Sequence, residues 1–320
     1  MCFIVLPREV ESVRNKSILL VGGTGYIGLE LYRQWNSGNT ICYTGRHSPS
    51  HVTPEELEDY RYLDLGMKES VHQVLRERVY DYIIYLAARV QIDMQSSPTT
   101  LSKGDVLYDC NVEGLKSFME IAKETPSHII YFSSMTVYDK NNPSPVKEDS
   151  FLFPFHTYGQ SKMLGEKKFA ESLESSTASG AIVRIPGIFG GKRQGGYIHH
   201  IVQKLRSEES VFLDVGGVVY WETLYIYDLI SMLEEWMECY PWGDSSCEIF
   251  NLCYGQETDF VGTAHSLKEL LGSSSTISLS EAPSYGVFYM DNTKVRQYWS
   301  PHQTYDYHAA LRRYIHDSLV

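Results

Sequence analysis

Residues 17–28 read SILLVGGTGYIG, and this stretch decides the fold. Ser17 to Val21 is a short apolar run of Ile, Leu and Val, the length of a buried strand. Three glycines follow at a spacing of three: Gly22, Gly25 and Gly28. Beyond them, LELYRQW sets Leu29, Leu31, Tyr32 and Trp35 at helical spacing. Strand, glycine turn and helix together make a phosphate cradle. Glycine allows the sharp turn and lets a pyrophosphate approach the backbone, while the helix N-terminus presents free N–H groups and partial positive charge. The spacing is G-x-x-G-x-x-G, a variant of the G-x-G-x-x-G dinucleotide fingerprint.

At 320 residues the chain is long enough for one or two domains. It carries 28 Lys+Arg against 40 Asp+Glu, a net charge of −12, which argues against nucleic acid or an anionic membrane as partner and leaves a small molecule. The 24 tyrosines are compatible with a polar-ligand cleft. Cys2, Cys42, Cys110, Cys239, Cys247 and Cys253 form no C-x-x-C pair and have no His at zinc-finger spacing, so no metal is expected and a reduced, cytoplasmic setting is the simplest reading. MCFIVLPREV holds a five-residue apolar run before Pro7 without a basic leader, too short for a signal peptide or a membrane span.

After the first helix, residues 40–44 (TICYT) read as a second strand ending in Gly45-Arg46-His47-Ser48. At this strand end an acidic residue would bond a ribose 2′-hydroxyl, whereas an Arg would pair with a 2′-phosphate. Arg46 is present and no Asp or Glu is, so NADP is favoured and NAD stays possible. A third strand (60–63) runs into Asp64-Leu65, an amphipathic helix covers 67–79, and 82–86 (YIIYL) is an apolar strand followed by Ala87-Ala88-Arg89. A helix is predicted over 107–123, with Asn111 in its first half, then a strand over 128–132 leading into Ser133-Ser134-Met135-Thr136. HTYGQSKMLGEKKFAE is a helix, and 180–185 (GAIVRI) a strand closed by Pro186-Gly187. This alternation means a parallel sheet with helices on both faces. Beyond Gly190 the rhythm breaks. Helices are predicted over 198–205, 261–271 and 308–315, strands over 211–213 and 247–252, a turn at Gly216-Gly217, and a strand-like VVYWETLYIY before Asp228.

Tyr158 and Lys162 lie at i and i+4 on one helix and share a face. A tyrosine titrates near pH 10, so it serves as an acid or base only where cations stabilise its phenolate, and Lys162 is placed to lower it. Ser134, or Thr136 next to it, is placed to hold a substrate oxygen against the Tyr158 hydroxyl. Asn111 is a candidate supporting residue. Such a set moves a proton at an alcohol or carbonyl oxygen while a hydride moves at carbon.

These stretches together resemble the extended short-chain dehydrogenase/reductase superfamily, in its NAD-dependent epimerase/dehydratase branch. They are GGTGYIG (22–28), DL (64–65), YLAA (85–88), NVEG (111–114), FSSMTVY (132–138), YGQSK (158–162) and RIPGIFG (184–190), in the family's order, with IYDL (226–229) and FNL (250–252) continuing the match. The resemblance implies that Ser134, Tyr158 and Lys162 are catalytic. It implies cofactor contacts from Gly22, Gly25, Tyr26, Ile27, Asp64, Leu65, Ala87, Lys162 and the loop around Pro186; Gly28, Arg46 and Ala88 join them as candidates. It also implies a possible homodimer through the helices carrying Asn111 and Tyr158. Two positions depart from the family. Relatives that act on nucleotide sugars commonly carry a basic residue where Trp221 stands; Trp221 itself, Lys192, Arg193 and Arg89 are the candidates for the substrate. Family dehydratases carry an acidic pair where Met135 and Thr136 stand, which argues against dehydration.

The expected fold is an α/β, Rossmann-type doubly wound parallel sheet over residues 15–186, with pieces returning near 222–255. A smaller C-terminal substrate-binding lobe is expected from 187–221 and 256–320. The expected function is an NAD(P)-dependent oxidoreductase or epimerase acting on a carbonyl or alcohol of a sugar or nucleotide-sugar-like substrate, with Tyr158 as acid/base. The alternative is a non-catalytic NADP-binding regulatory or scaffold protein of the same fold.

Overall fold

Strands buried on both faces read as unbroken apolar runs, and the first half of this chain alternates such runs with amphipathic helices. In a computed structural model, which describes residues 13–49, 52–91, 101–174, 176–214, 220–243, 247–280, 287–300 and 304–318, β1 (Ser17–Val21) leads through the glycine turn into α1 (Tyr26–Trp35). Then come β2 (Thr40–Gly45), α2 (Pro54–Glu58), β3 (Tyr60–Tyr62), α3 (Lys68–Glu77) and β4 (Tyr82–Tyr85). α4 (Val106–Tyr108), a π-helical turn (Asp109–Glu113) and α5 (Gly114–Ala122) follow one another directly. β5 (His128–Ser134), a 3-10 turn (Met135–Val137), α6 (Thr157–Leu173), β6 (Ser179–Ile185) and β7 (Gly187–Phe189) come next. The second half holds α7 (Tyr197–Arg206), β8 (Val211–Leu213), β9 (Tyr220–Trp221), β10 (Thr223–Tyr225), α8 (Ile226–Cys239) and β11 (Cys247–Asn251). It ends with α9 (Phe260–Leu271), β12 (Ile277–Leu279), β13 (Val287–Phe288), α10 (Thr293–Arg296) and α11 (Tyr307–Asp317).

Seven strands form one parallel sheet in the order β3-β2-β1-β4-β5-β6-β11. The chain winds outward from β1 to β3, then crosses to β4 on the other side of β1. The crevice at this reversal, beyond the carboxyl ends of the strands, is where open α/β sheets bind ligands. Strand periodicity sorts the core. Ile18, Leu20, Ile84 and Ile130 point to the face covered by α1 and α8. Leu19, Val21, Ile83 and Ile129 point to the face covered by α3, α5 and α6. The first of these clusters runs on without a break into α7, α9 and α11, so residues on both sides of Pro186 share one core.

Several sequence expectations change. The helix predicted over 107–123 is interrupted by the π-helical turn, and Asn111 sits in it. Helix α2 was invisible to hydrophobic periodicity because none of its residues is buried; a capping box between Thr53 and Glu56 and a proline in its first turn define it instead. VVYWETLYIY is not one strand: β9 and β10 flank Glu222, and α8 starts at Ile226, so Asp228 lies in its first turn. β10 pairs with β7, outside the main sheet, while β11 returns to it beside β6. β5 extends to Ser134, carrying both serines to the crevice as strand residues. The turn at Gly216-Gly217 and the stretch MCFIVLPREV lie outside the described residues.

Gly22 adopts φ +78°, and a Cβ built there would stand 2.6 Å from the Ala87 Cα. Gly22→Ala is therefore expected to lower the unfolding free energy by roughly 1–3 kcal/mol in urea denaturation. The same change at Gly195, where a Cβ meets open space at ordinary φ, is expected to stay within about 0.5 kcal/mol.

Candidate functional site

Two cavities of about 740 and about 720 Å³ lie along the carboxyl ends of the strands. Both are walled by Gly22, Gly25, Leu86 and Ala88, so they are two ends of one cleft that meet at the sheet's reversal point. The glycine turn sits at the junction. Gly25 is the N-cap of α1 and has no side chain to cap it, so the first-turn amides of Tyr26, Ile27 and Gly28 face the cleft as free donors. Free N–H groups at a helix N-terminus have the chemistry to hold an anion, and their number and spacing fit a pyrophosphate.

The nucleotide end is lined by Thr24, Arg46, Asp64, Leu65, Ala87 and Arg89. Arg46 is exposed at the end of β2, and no hydrogen bond or ion pair holds its side chain among the described residues. Asp64 Oδ1 accepts the Gly66 N–H at 2.9 Å, and the Asp64 N–H donates to Ser70 Oγ at 3.0 Å, which fixes the loop after β3. Arg89, expected as a candidate for the substrate, lines this end of the cleft, and its neighbours Ala88 and Val90 line the other. Its backbone N–H donates to Asn111 Oδ1 at 2.7 Å, and Asn111 Nδ2 donates back to the Arg89 carbonyl at 3.0 Å. Asn111 Nδ2 also donates to Ser161 Oγ at 2.8 Å, and Ser161 Oγ donates to the Tyr158 carbonyl at 2.7 Å. Buried Asn111 thus ties the end of β4 to the helix that carries Tyr158.

The other end is lined by Tyr26, Ser134, Thr136, Tyr158, Lys162 and Pro186. Ser134 Oγ accepts from the Thr136 N–H at 3.2 Å and from Thr136 Oγ1 at 3.0 Å, closing the turn after β5. α6 lies directly over that turn: a Cβ on Gly159 would stand 2.3 Å from the Thr136 carbonyl oxygen. The missing side chain is what lets Tyr158 and Thr136 line the same wall. The helix begins at His156, whose Nδ1 accepts the Gly159 N–H at 2.9 Å, so its ring proton is on Nε2.

The charges at this end differ from expectation. Burial pushes the Tyr158 phenol up to about 12. Lys162 is only 2% exposed, and burial pulls its ammonium down to about 7, with nearby Glu166 opposing the fall. Its Nζ lies 4.2 Å from the centre of the Tyr131 ring. The reason is the same for both groups: an interior that holds little water disfavours phenolate and ammonium alike.

Arg193 lines the substrate end, where its Nη1 donates to the Ile188 carbonyl at 2.7 Å and its guanidinium lies over the Tyr26 ring. Tyr26 in turn donates through its hydroxyl to the Gly190 carbonyl at 2.9 Å. Lys192 is exposed outside both cavities, its backbone N–H donating to Glu30 Oε1. Trp221 belongs to β9, paired with Phe288. Sequence reasoning missed three features. His156 caps α6, a role usually filled by Ser, Thr, Asn or Asp. Glu166 and Arg184 form a buried ion pair behind β5; the only signal was an acid four residues after Lys162. Glu222, fully buried at the cleft wall, accepts the Gly255 and Met290 N–H groups, and burial raises its carboxyl to about 8.

The family described as the RmlD substrate binding domain matches residues 16–216. Among curated proteins, methionine adenosyltransferase 2 subunit beta of Bos taurus is 26% identical over 189 residues, 58% of this chain and 51% of that protein. UDP-glucose 4-epimerase of Lactobacillus helveticus is 26% identical over 185 residues, 56% of this chain and 53% of that protein. The chain thus spans about half the length of these curated relatives. Among solved structures, UDP-glucuronic acid 4-epimerase from Bacillus cereus in complex with UDP-glucuronic acid and NAD superposes with a TM-score of 0.73 at 18% identity, covering 94% of this chain and 99% of that one. At that identity the likeness shows the fold. No helix among the described residues is long and apolar enough to cross a membrane.

Burial holds the His156 pKa below its ordinary 6.5. A depressed folded pKa means that the cap's contribution is fully present above about 6.5 and is lost as pH falls through the folded value. His156→Ala is expected to cost about 1 kcal/mol at pH 8 in urea denaturation. His156→Asn is expected to keep that stability and lose this part of its pH dependence.

Proposed function

The chain belongs to the RmlD substrate binding domain family, within the extended short-chain dehydrogenase/reductase superfamily, and on that premise we propose that it is an NADP-dependent oxidoreductase or epimerase acting on the carbonyl or alcohol of a sugar-like substrate. The observation that carries the reading is the single cleft, with a capless helix N-terminus at its centre, Arg46 and Asp64 at one end, and Ser134, Thr136, Tyr158 and Lys162 at the other. When bound, a nicotinamide dinucleotide supplies the hydride donor or acceptor. The residues do the rest. The first-turn amides of α1 take the pyrophosphate, and Arg46 takes a ribose 2′-phosphate. Ser134 donates to the substrate oxygen, and Tyr158 gives that oxygen a proton in reduction or takes one in oxidation. A phenol held near 12 is the protonated acid at neutral pH, which suits the reductive direction. Lys162, when charged, stabilises the phenolate left behind. In epimerisation the same residues act twice, with a keto intermediate between.

A second reading, a dinucleotide-binding regulatory subunit without turnover, is favoured by one observation. The first curated relatives are named as a subunit of a methionine adenosyltransferase. The two readings separate in one experiment. Tyr158→Phe is expected to leave NADPH binding intact and to lower kcat by about 10²–10⁴, followed by the loss of reduced-nicotinamide absorbance with candidate ketones. Turnover retained in Tyr158→Phe would overturn the mechanism. NADPH binding with no turnover by the unaltered protein on any candidate would favour the regulatory reading.

Arg46→Ala is expected to weaken NADPH about tenfold or more, the worth of a charge-assisted phosphate contact, and to leave the Kd for NADH unchanged. Isothermal calorimetry with both cofactors checks this.

A further inference from the structure

Behind the wall that carries Ser134, Tyr158 and Lys162 is a buried charged group shared by three elements. Glu166 lies one turn beyond Lys162 on α6 and is 5% exposed. Its Oε1 accepts from Ser133 Oγ on β5 and from Arg184 Nε on β6, the latter at 2.9 Å. Its Oε2 accepts from Arg184 Nη2 at 2.7 Å. Arg184, 1% exposed, also donates to the Glu148 carbonyl and stacks over Tyr138. Strand alternation makes the consequence plain. Ser133 is held toward α6, so Ser134, its neighbour, is turned the other way.

We propose that Glu166 is a positioning residue that acts on the site in two ways: it fixes the end of β5 through Ser133, and it sets a negative charge one helical turn from Lys162 that opposes the loss of the lysine's proton. The proposal rests on the reading of Tyr158 and Lys162 as the reacting pair. Around Lys162, β5 contributes the uncharged Tyr131 ring, and α6 contributes Tyr158 and Glu166. Behind Glu166 stand Arg184 on β6 and the thiol of Cys247 on β11. Glu166 is the one neighbour found to raise the Lys162 pKa. Arg184 carries the opposite charge and is paired with that carboxylate. The pair is thus balanced: removing the acid leaves a cation behind Lys162, and removing the Arg leaves an unshared anion there.

The balance gives a test that a merely structural role would not pass. Lys162 is followed by the Cε resonance in protein carrying 13C-labelled lysine, assigned by its loss in Lys162→Met, and titrated without any substrate. Glu166→Gln is expected to lower the Lys162 pKa by about one unit or more, Arg184→Gln to raise it by a similar amount, and the double variant to return it toward the unaltered value. In turnover, the pH at which Lys162 loses its proton limits activity. The alkaline limb should therefore move down in Glu166→Gln and up in Arg184→Gln, with kcat changed on the order of tenfold per unit and the KM for NADPH unchanged. Shifts of the same sign in both single variants, or no shift, overturn the proposal. If Glu166→Gln does not fold, the upward shift in Arg184→Gln decides alone. Opposite NMR shifts without any turnover leave this inference standing and remove the catalytic reading it rests on.

Discussion

The cleft depends on a contact that excludes any side chain. Gly22 at the end of β1 lies against Ala87 at the end of β4, with a positive φ that an L side chain rarely adopts. β1 and β4 are adjacent parallel strands whose next elements leave in opposite directions, one into α1 and the other toward the π-helical turn. Closing the two strand ends backbone to backbone brings the glycine turn and the two cavities within reach of one ligand. The same closure places Ser134, two strand ends farther along, at the other side of the turn. Without it the two cavities would be separate hollows.

The second constraint is burial of charge. Lys162 and the Glu166–Arg184 pair all lie in the interior, where an unpaired charge is costly and breaking a buried pair costs about 3–5 kcal/mol. The fold accepts that cost beside the wall that faces ligand. The polar groups nearby are arranged in closed sets: Asn111 with Arg89 and Ser161, Ser134 with Thr136, His156 with Gly159. The Asn111 set joins separate segments, and the other two close the turn after β5 and the start of α6, so hydrogen bonds hold the wall alongside packing.

Much of this was legible from residues alone. The glycine spacing in 22–28 and the apolar runs after it determine the parallel sheet, and the i, i+4 relation of Tyr158 and Lys162 survives as one helical face. What was not legible has physical reasons. Nothing in the sequence announces that a helix will widen at Asp109–Glu113, where Asn111 bonds across to Arg89 and Ser161, segments far from it in the chain. A histidine cap at residue 156 looks like any other His until its Nδ1 meets the Gly159 amide. The i, i+4 spacing of Tyr158 and Lys162 does not show how deeply both side chains are buried, and burial opposes charge on each. Short strands such as β9 and β10 carry no period of their own and are defined by partners far away in the chain.

The edge of the sheet has a consequence for synthesis. β6 is seven residues long and buried throughout, yet its outer neighbour β11 begins at Cys247, after six further strands and helices have been made. As the chain leaves the ribosome, β6 therefore waits as an unpaired, apolar edge, the kind of template on which other chains add. Five residues near the C-terminal third, Cys247–Asn251, act as its cover. The order of synthesis thus leaves that edge uncovered until a late, short strand has been made.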